Sequence, residues 1–181
     1  MKQTVIANSI SLLAIAATAW LLLRKREQTT LEEAAEMPQA TTATSYPNPG
    51  GKTRGLRNNN PLNIEYSKNT VWQGEIRPSS DTRFAQFQTM AYGYRAAFKT
   101  LFTYINKYGV NTLQGIIKRW DPGSSTYVTN VSNWTGFSPN KVFTVNDEAA
   151  LVKLVSAMSR MENGVTPSTT DVYNGWKLAT A

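Results

Sequence analysis

Between Val5 and Leu23 the chain reads VIANSISLLAIAATAWLLL, 19 residues without a charge. As a helix this run is about 28 Å long, close to the hydrocarbon thickness of a bilayer. Trp20 sits near one end, as an interfacial aromatic does, and Arg24, Lys25 and Arg26 follow where their ammonium and guanidinium groups reach lipid headgroups. A cleaved signal peptide is the alternative, with Ala17-Thr18-Ala19 as its cleavage site. Its basic start would be thin, with only Lys2 and the amino terminus, and the apolar run continues past the site. The pattern therefore predicts an uncleaved single-pass anchor over residues 1–26, with a lipid membrane as partner through residues 5–23. The positive-inside rule would keep the Arg24–Arg26 triplet on the cytoplasmic side, with whatever folds behind it.

Residues 27–52 are rich in Thr, Ala, Glu, Pro and Gly and read as a flexible linker. Residues 53–181 then form one domain of ordinary size. The chain contains neither cysteine nor histidine. That excludes a disulfide framework, thiolate zinc sites and the Ser-His-Asp triad. No metal and no cofactor is expected, and carboxylates are left as the proton carriers of any enzyme built here. The chain carries a net charge of +7, and from Thr53 onward 14 Lys or Arg face 8 Asp or Glu, a net of +6. A basic balance suits anionic polymers. The basic residues are scattered rather than striped along one helix, which argues against nucleic acid as the partner.

Periodicity makes the domain mainly α, with a small β-hairpin region near its start. Residues 65–76 carry the hairpin, with Tyr66, Val71, Trp72 and Ile76 as apolar points, and RFAQFQ alternates as one more short strand. Thr89 caps a long helix with the stripe Tyr94, Phe98, Leu101, Ile105 and Tyr108, closed by Gly109. Asn111 caps a second helix, stopped by Asp121-Pro122-Gly123. Ser124 or Ser125 opens a third that ends near Gly136. Asn146 or Asp147 opens a fourth, DEAALVKLVSAMSRMENG, which Gly164 follows.

Three segments carry a family likeness: RGLRNNNPLNI, then WQGE, then DTRFAQFQTMAYGYRAAFKTLFTYINKYGVNTLQGIIKRWDP. The stretch from about Arg54 to Gly164 resembles phage and prophage virion-associated proteins that degrade peptidoglycan, members of the lysozyme-like superfamily. Those proteins usually show Gly where this chain has Leu62. The resemblance implies an α+β lysozyme-like fold and a glycosidase or lytic transglycosylase acting on peptidoglycan. It also implies a virion protein with other virion proteins as partners. Lysozyme-like enzymes carry a glutamic acid at the end of a helix, ahead of an Asn- or Gly-rich loop. Here LVKLVSAMSRMENG puts Glu162 in that place, but the Asn-rich loop comes first in the chain. The resemblance then implies a circular permutation, with the last helix setting Glu162 beside residues 58–63.

Cleaving a glycosidic bond needs an acid that protonates the leaving oxygen. Glu162 is the candidate acid, with Glu75 or Asp81 as a second carboxylate. If neither lies near, the N-acetyl group of the sugar attacks instead, as in a lytic transglycosylase. Asn58, Asn59, Asn60, Asn63 and Tyr66 are candidates for hydrogen bonds to the sugar, though asparagines also brace turns. Trp72, Trp120, Tyr127 and Trp134 either stack on sugar rings or fill the core. The anchor places the protein in a virion internal membrane or the bacterial inner membrane, opening the wall as the genome is delivered. The alternative is a non-catalytic virion or wall-binding protein that kept the fold and lost the acid.

Overall fold

A computed structural model describes residues 52–181. The expected anchor and nearly all of the expected linker lie outside the described residues. Among the described residues no helix is long and apolar enough to cross a membrane.

The domain is mainly α. Among the described residues six helices follow in chain order: α1 (Arg54–Arg57), α2 (Met90–Tyr108), α3 (Leu113–Trp120), α4 (Tyr127–Thr135), α5 (Glu148–Asn163) and α6 (Thr169–Thr180). Their ends follow local chemistry. The Thr89 hydroxyl accepts the Tyr92 N–H at the start of α2, and Gly109 closes it at φ 63°. Thr112, one residue past the expected Asn111, caps α3 by accepting the Gly115 N–H. Ser124 accepts the Tyr127 N–H ahead of α4. Gly136 and Gly164 end α4 and α5 in the left-handed region.

Most of the core lies between α2 and α3 to α6. Tyr94, Phe98 and Leu101 of α2, Leu151, Leu154 and Val155 of α5, and Ile116 of α3 are completely buried. Each such side chain contributes roughly 2 kcal/mol of transfer free energy. The stripe on α2 rises to the surface at its end, where Tyr108 is half exposed.

Helix α6 was not anticipated from the sequence, yet it packs closely along α2. Trp176 stands edge-on to Phe98 and Phe102, with ring centroids 5.3 and 5.6 Å away. Its indole N–H donates to Glu148 of α5 at 2.9 Å. Gly175 makes the approach possible, because a Cβ there would lie 2.3 Å from Tyr94 Cβ.

Residues 58–88 form an irregular half. The hairpin expected within residues 65–76 is absent, and no named strand occurs among the described residues. The segment pairs instead with the chain after it, through isolated bridges Glu65–Phe84 and Glu75–Phe87. Gly74 at φ 74° turns the backbone toward the second of these. Its missing Cβ leaves room for the Tyr92 ring, which would otherwise be 2.2 Å away. Ala85 and Phe87 then bury against Ala96 of α2, with Trp72 and Tyr92 packed around them.

Candidate active site: a cleft around Glu162

The irregular half is held by side-chain amides together with isolated backbone bonds, such as Tyr66 N–H to the Arg83 carbonyl and Ala85 N–H to the Ile64 carbonyl, in place of a continuous ladder. Asn60 is completely buried. Its amide donates to the carbonyls of Ile64 and Ala85, both at 2.8 Å, and its carbonyl accepts the Ile64 N–H at 2.9 Å. The Asn59 amide donates to the carbonyls of Phe87 and Gln88. Asn58 donates to Asp81 at 2.7 Å. These three side chains, expected to read sugar, are thus spent on the protein itself. Leu62 is completely buried. The left-handed positions are its neighbours Asn59 and Asn63, at φ 48° and 50°, a conformation Asn tolerates well.

Asn63 is the member of the run that turns outward. Its amide donates to Glu162 Oε2 at 2.9 Å. From the other side the buried Tyr127 hydroxyl donates to Glu162 Oε1 at 3.0 Å, with the Met158 carbonyl a longer alternative at 3.4 Å. Glu162 lies in the last turn of α5, and the next residue, Asn163, fastens that turn to the start of the domain. The Asn163 amide donates to the Pro61 and Ser159 carbonyls, and its own carbonyl accepts the Thr53 hydroxyl at 2.6 Å. Gly55 passes so close that a Cβ would sit 2.8–2.9 Å from oxygens of Asn60, Asn63 and Asn163.

Glu162 opens on a cleft of about 490 Å³. Leu62, Asn63, Ile64, Glu65 and Phe84 of the irregular half line it, with Tyr104, Trp120 and Asp121 opposite. Burial pushes the Glu162 carboxyl above its ordinary range, and the nearby Asp121 charge adds to this. Hydrogen bonds from Asn63, Tyr127 and, more weakly, Trp120 pull the other way. The negative end of the α5 dipole also disfavours the charged form. Tyr127 is pushed up too, by burial and by the Glu162 charge. A carboxyl so placed can hold a proton and deliver it into the cleft.

Neither sequence-proposed second carboxylate lines that cleft. Asp81 accepts two bonds from the Arg54 guanidinium at 2.6 and 2.7 Å, one from Asn58, and the N–H groups of Arg83 and Phe84. The Arg54 contact, aided by these donors and opposed by burial, holds its carboxyl well below the usual range. Asp81 is a structural lock rather than a proton carrier. The Glu75 side chain is completely buried beneath Arg77, with Nε and Oε1 3.0 Å apart in an ion pair whose N–H is poorly aimed. Its other oxygen accepts the Trp72 N–H at 2.9 Å and an Arg77 guanidinium N–H at 3.1 Å. Tyr66 lies under the Arg77 guanidinium at 4.8 Å, and Trp134 stacks beneath Arg160 at 4.3 Å; neither lines the cleft. Trp72 packs on the Phe87 cluster.

Asp121, Glu65 and Tyr104 line the cleft without having been singled out for it in the sequence. Asp121 had been read as part of a helix stop, which it also is, as the C-cap of α3. Asn163 was not singled out in the sequence. Among the described residues no group of three acidic side chains is placed to hold a metal ion.

The arrangement defines a mainly helical domain with one buried acid facing an aromatic-walled cleft. No family model matches the chain. Over 124 residues it is 42% identical to Protein P5 of Pseudoalteromonas phage PM2, an alignment covering 65% of this chain and 76% of that protein. The chain belongs to the family of that phage protein.

Proposed function

We propose that this chain is a virion protein whose helical domain cleaves the glycan strands of peptidoglycan, with Glu162 as general acid. The observation that carries the reading is the Glu162 carboxyl itself. It is held in place by Asn63 and Tyr127, raised in pKa by burial, and turned into a cleft walled by Tyr104 and Trp120. A pKa raised in that way keeps the proton available near neutral pH, which protonation of a glycosidic leaving oxygen requires. The aromatic walls suit the apolar faces of sugar rings. The juxtaposition of Glu162 with Asn63 across the chain supports a circularly permuted lysozyme-like arrangement. The permuting helix is then α5 rather than the final one. The apolar run at residues 5–23 would hold the enzyme in a membrane while it opens the wall.

A second reading is favoured by the same hydrogen bonds. Asn63, Glu162 and Tyr127 tie the irregular half to α4 and α5, a bracing role that needs no chemistry. The two readings part on one experiment. The full chain and its Glu162→Gln form, kept in mild detergent, are incubated with purified peptidoglycan, and soluble fragments are read by mass spectrometry. The enzyme reading expects fragments from the parent and at least ~100-fold fewer from the variant. Retained wall binding without fragments from either form would leave the brace.

A further inference from the structure

We propose that Asp121 is the second carboxylate of this cleft, the group that takes a proton from an attacking water while Glu162 gives one to the leaving oxygen. The proposal rests on the glycan-cleaving reading and makes the reaction a hydrolysis.

Asp121 reaches the cleft from the end of α3, and Glu162 from the end of α5. The corner at Asp121 is firm. Its N–H donates to the Ile117 carbonyl at 2.9 Å, Pro122 follows, and its Oδ1 accepts the Gly123 N–H at 3.1 Å. Its other oxygen has no hydrogen-bond partner among the described residues.

Other carboxylates near the cleft or at positions considered for it are already committed. Glu65 pairs with Arg83, Glu75 with Arg77 and Asp81 with Arg54. Asp121 makes no such pair among the described residues, so its outer oxygen is available to a water. It lines the same cleft as Glu162, and its charge acts on both Glu162 and Tyr127.

In the step this implies, the water oxygen bonds to the anomeric carbon as the glycosidic C–O bond breaks. The leaving oxygen receives the Glu162 proton, and the water's surplus proton passes to Asp121. One water is consumed per bond, a reducing end appears, and the two carboxyl groups reset by exchange with solvent.

The test uses the full chain and its Asp121→Asn and Asp121→Ala forms on purified peptidoglycan, with fragment ends identified by mass spectrometry. Asn retains an acceptor for the Gly123 N–H, and unfolding midpoints check that both variants fold. Wild type should yield reducing ends. Asp121→Asn should lose about 100-fold in kcat with KM little changed. Added azide should revive Asp121→Ala and leave glycosyl azide ends, since the small anion itself attacks where the carboxylate stood. A merely structural Asp121 would not give that product. Anhydro ends from wild type would overturn the proposal, as would full activity in Asp121→Asn or a folded Asp121→Ala that azide does not revive. Each of these leaves glycan cleavage by Glu162 standing. Wild type releasing nothing would overturn the glycan-cleaving reading, and the role of Asp121 with it.

Discussion

Asp81 and Glu162 are carboxyl groups within one small domain, and their surroundings treat them oppositely. Asp81 meets a guanidinium, an amide and two backbone N–H groups, and its charge is what the loop around it is built on. Glu162 meets an amide and a phenol but no cation, and burial disfavours its charge. Saturation with donors makes a lock, whereas partial satisfaction leaves a proton and lone pairs to use. The same contrast separates the two halves of the domain. The helices are held by apolar packing, and the irregular half by polar side chains that, with isolated backbone bonds, replace a continuous strand ladder.

The largest expected effect falls on that replacement. Asn60→Ala strands the Ala85 carbonyl and the Ile64 N–H in a buried site, while the Ile64 carbonyl keeps the Ala85 N–H, and should cost about 3 kcal/mol, read from urea midpoints. A loss under about 1 kcal/mol would mean the irregular half is held by Phe87 and its neighbours instead.

The next test compares the two carboxyls directly, through stability measured between about pH 3 and 8. The lowered pKa of Asp81 means its contribution is present above its ordinary value of 3.8 and lost as pH falls toward the folded value. Asp81→Asn should therefore flatten the acid side of the profile. The raised pKa of Glu162 works in reverse. Its contribution is full below the ordinary 4.5 and is lost as pH rises through the folded value. Glu162→Gln should gain on the parent as pH rises. Profiles that move in the same direction would erase the comparison.

The smallest effect should come from Tyr127→Phe, about 1 kcal/mol of stability for one lost hydrogen bond. Because that bond lowers the Glu162 pKa, its removal should carry the alkaline limb of the activity profile to higher pH. A limb that moves down would mean Tyr127 serves the neutral form of the acid.

The helices were legible wherever caps and stripes agreed, as at Thr89, Gly109, Gly136 and Gly164. Helix α6 was hidden by its own packing device, since Gly175 and Asn174 weaken the helical pattern while the glycine is what lets α6 approach Tyr94. The hairpin was misread because Trp72 and Ile76 carry strand-like apolarity, whereas Gly74 and the buried Glu75–Arg77 pair direct that segment to a later partner. In the site, the nearness of Asn63 and Glu162 could be anticipated. Which asparagines would be spent internally could not, because that depends on which carbonyls the fold leaves unpaired around them.

Glu162 and Asn163 are adjacent in the last turn of α5, and successive residues of a helix point about 100° apart. One faces the cleft, and the other clasps Pro61 and Thr53. The length of α5 is therefore a reading frame. Inserting or deleting a single residue between Leu154 and Ser159 would present an amide to the cleft or a carboxyl to the clasp, so lineages of this domain should vary in side chain along α5 far more readily than in length.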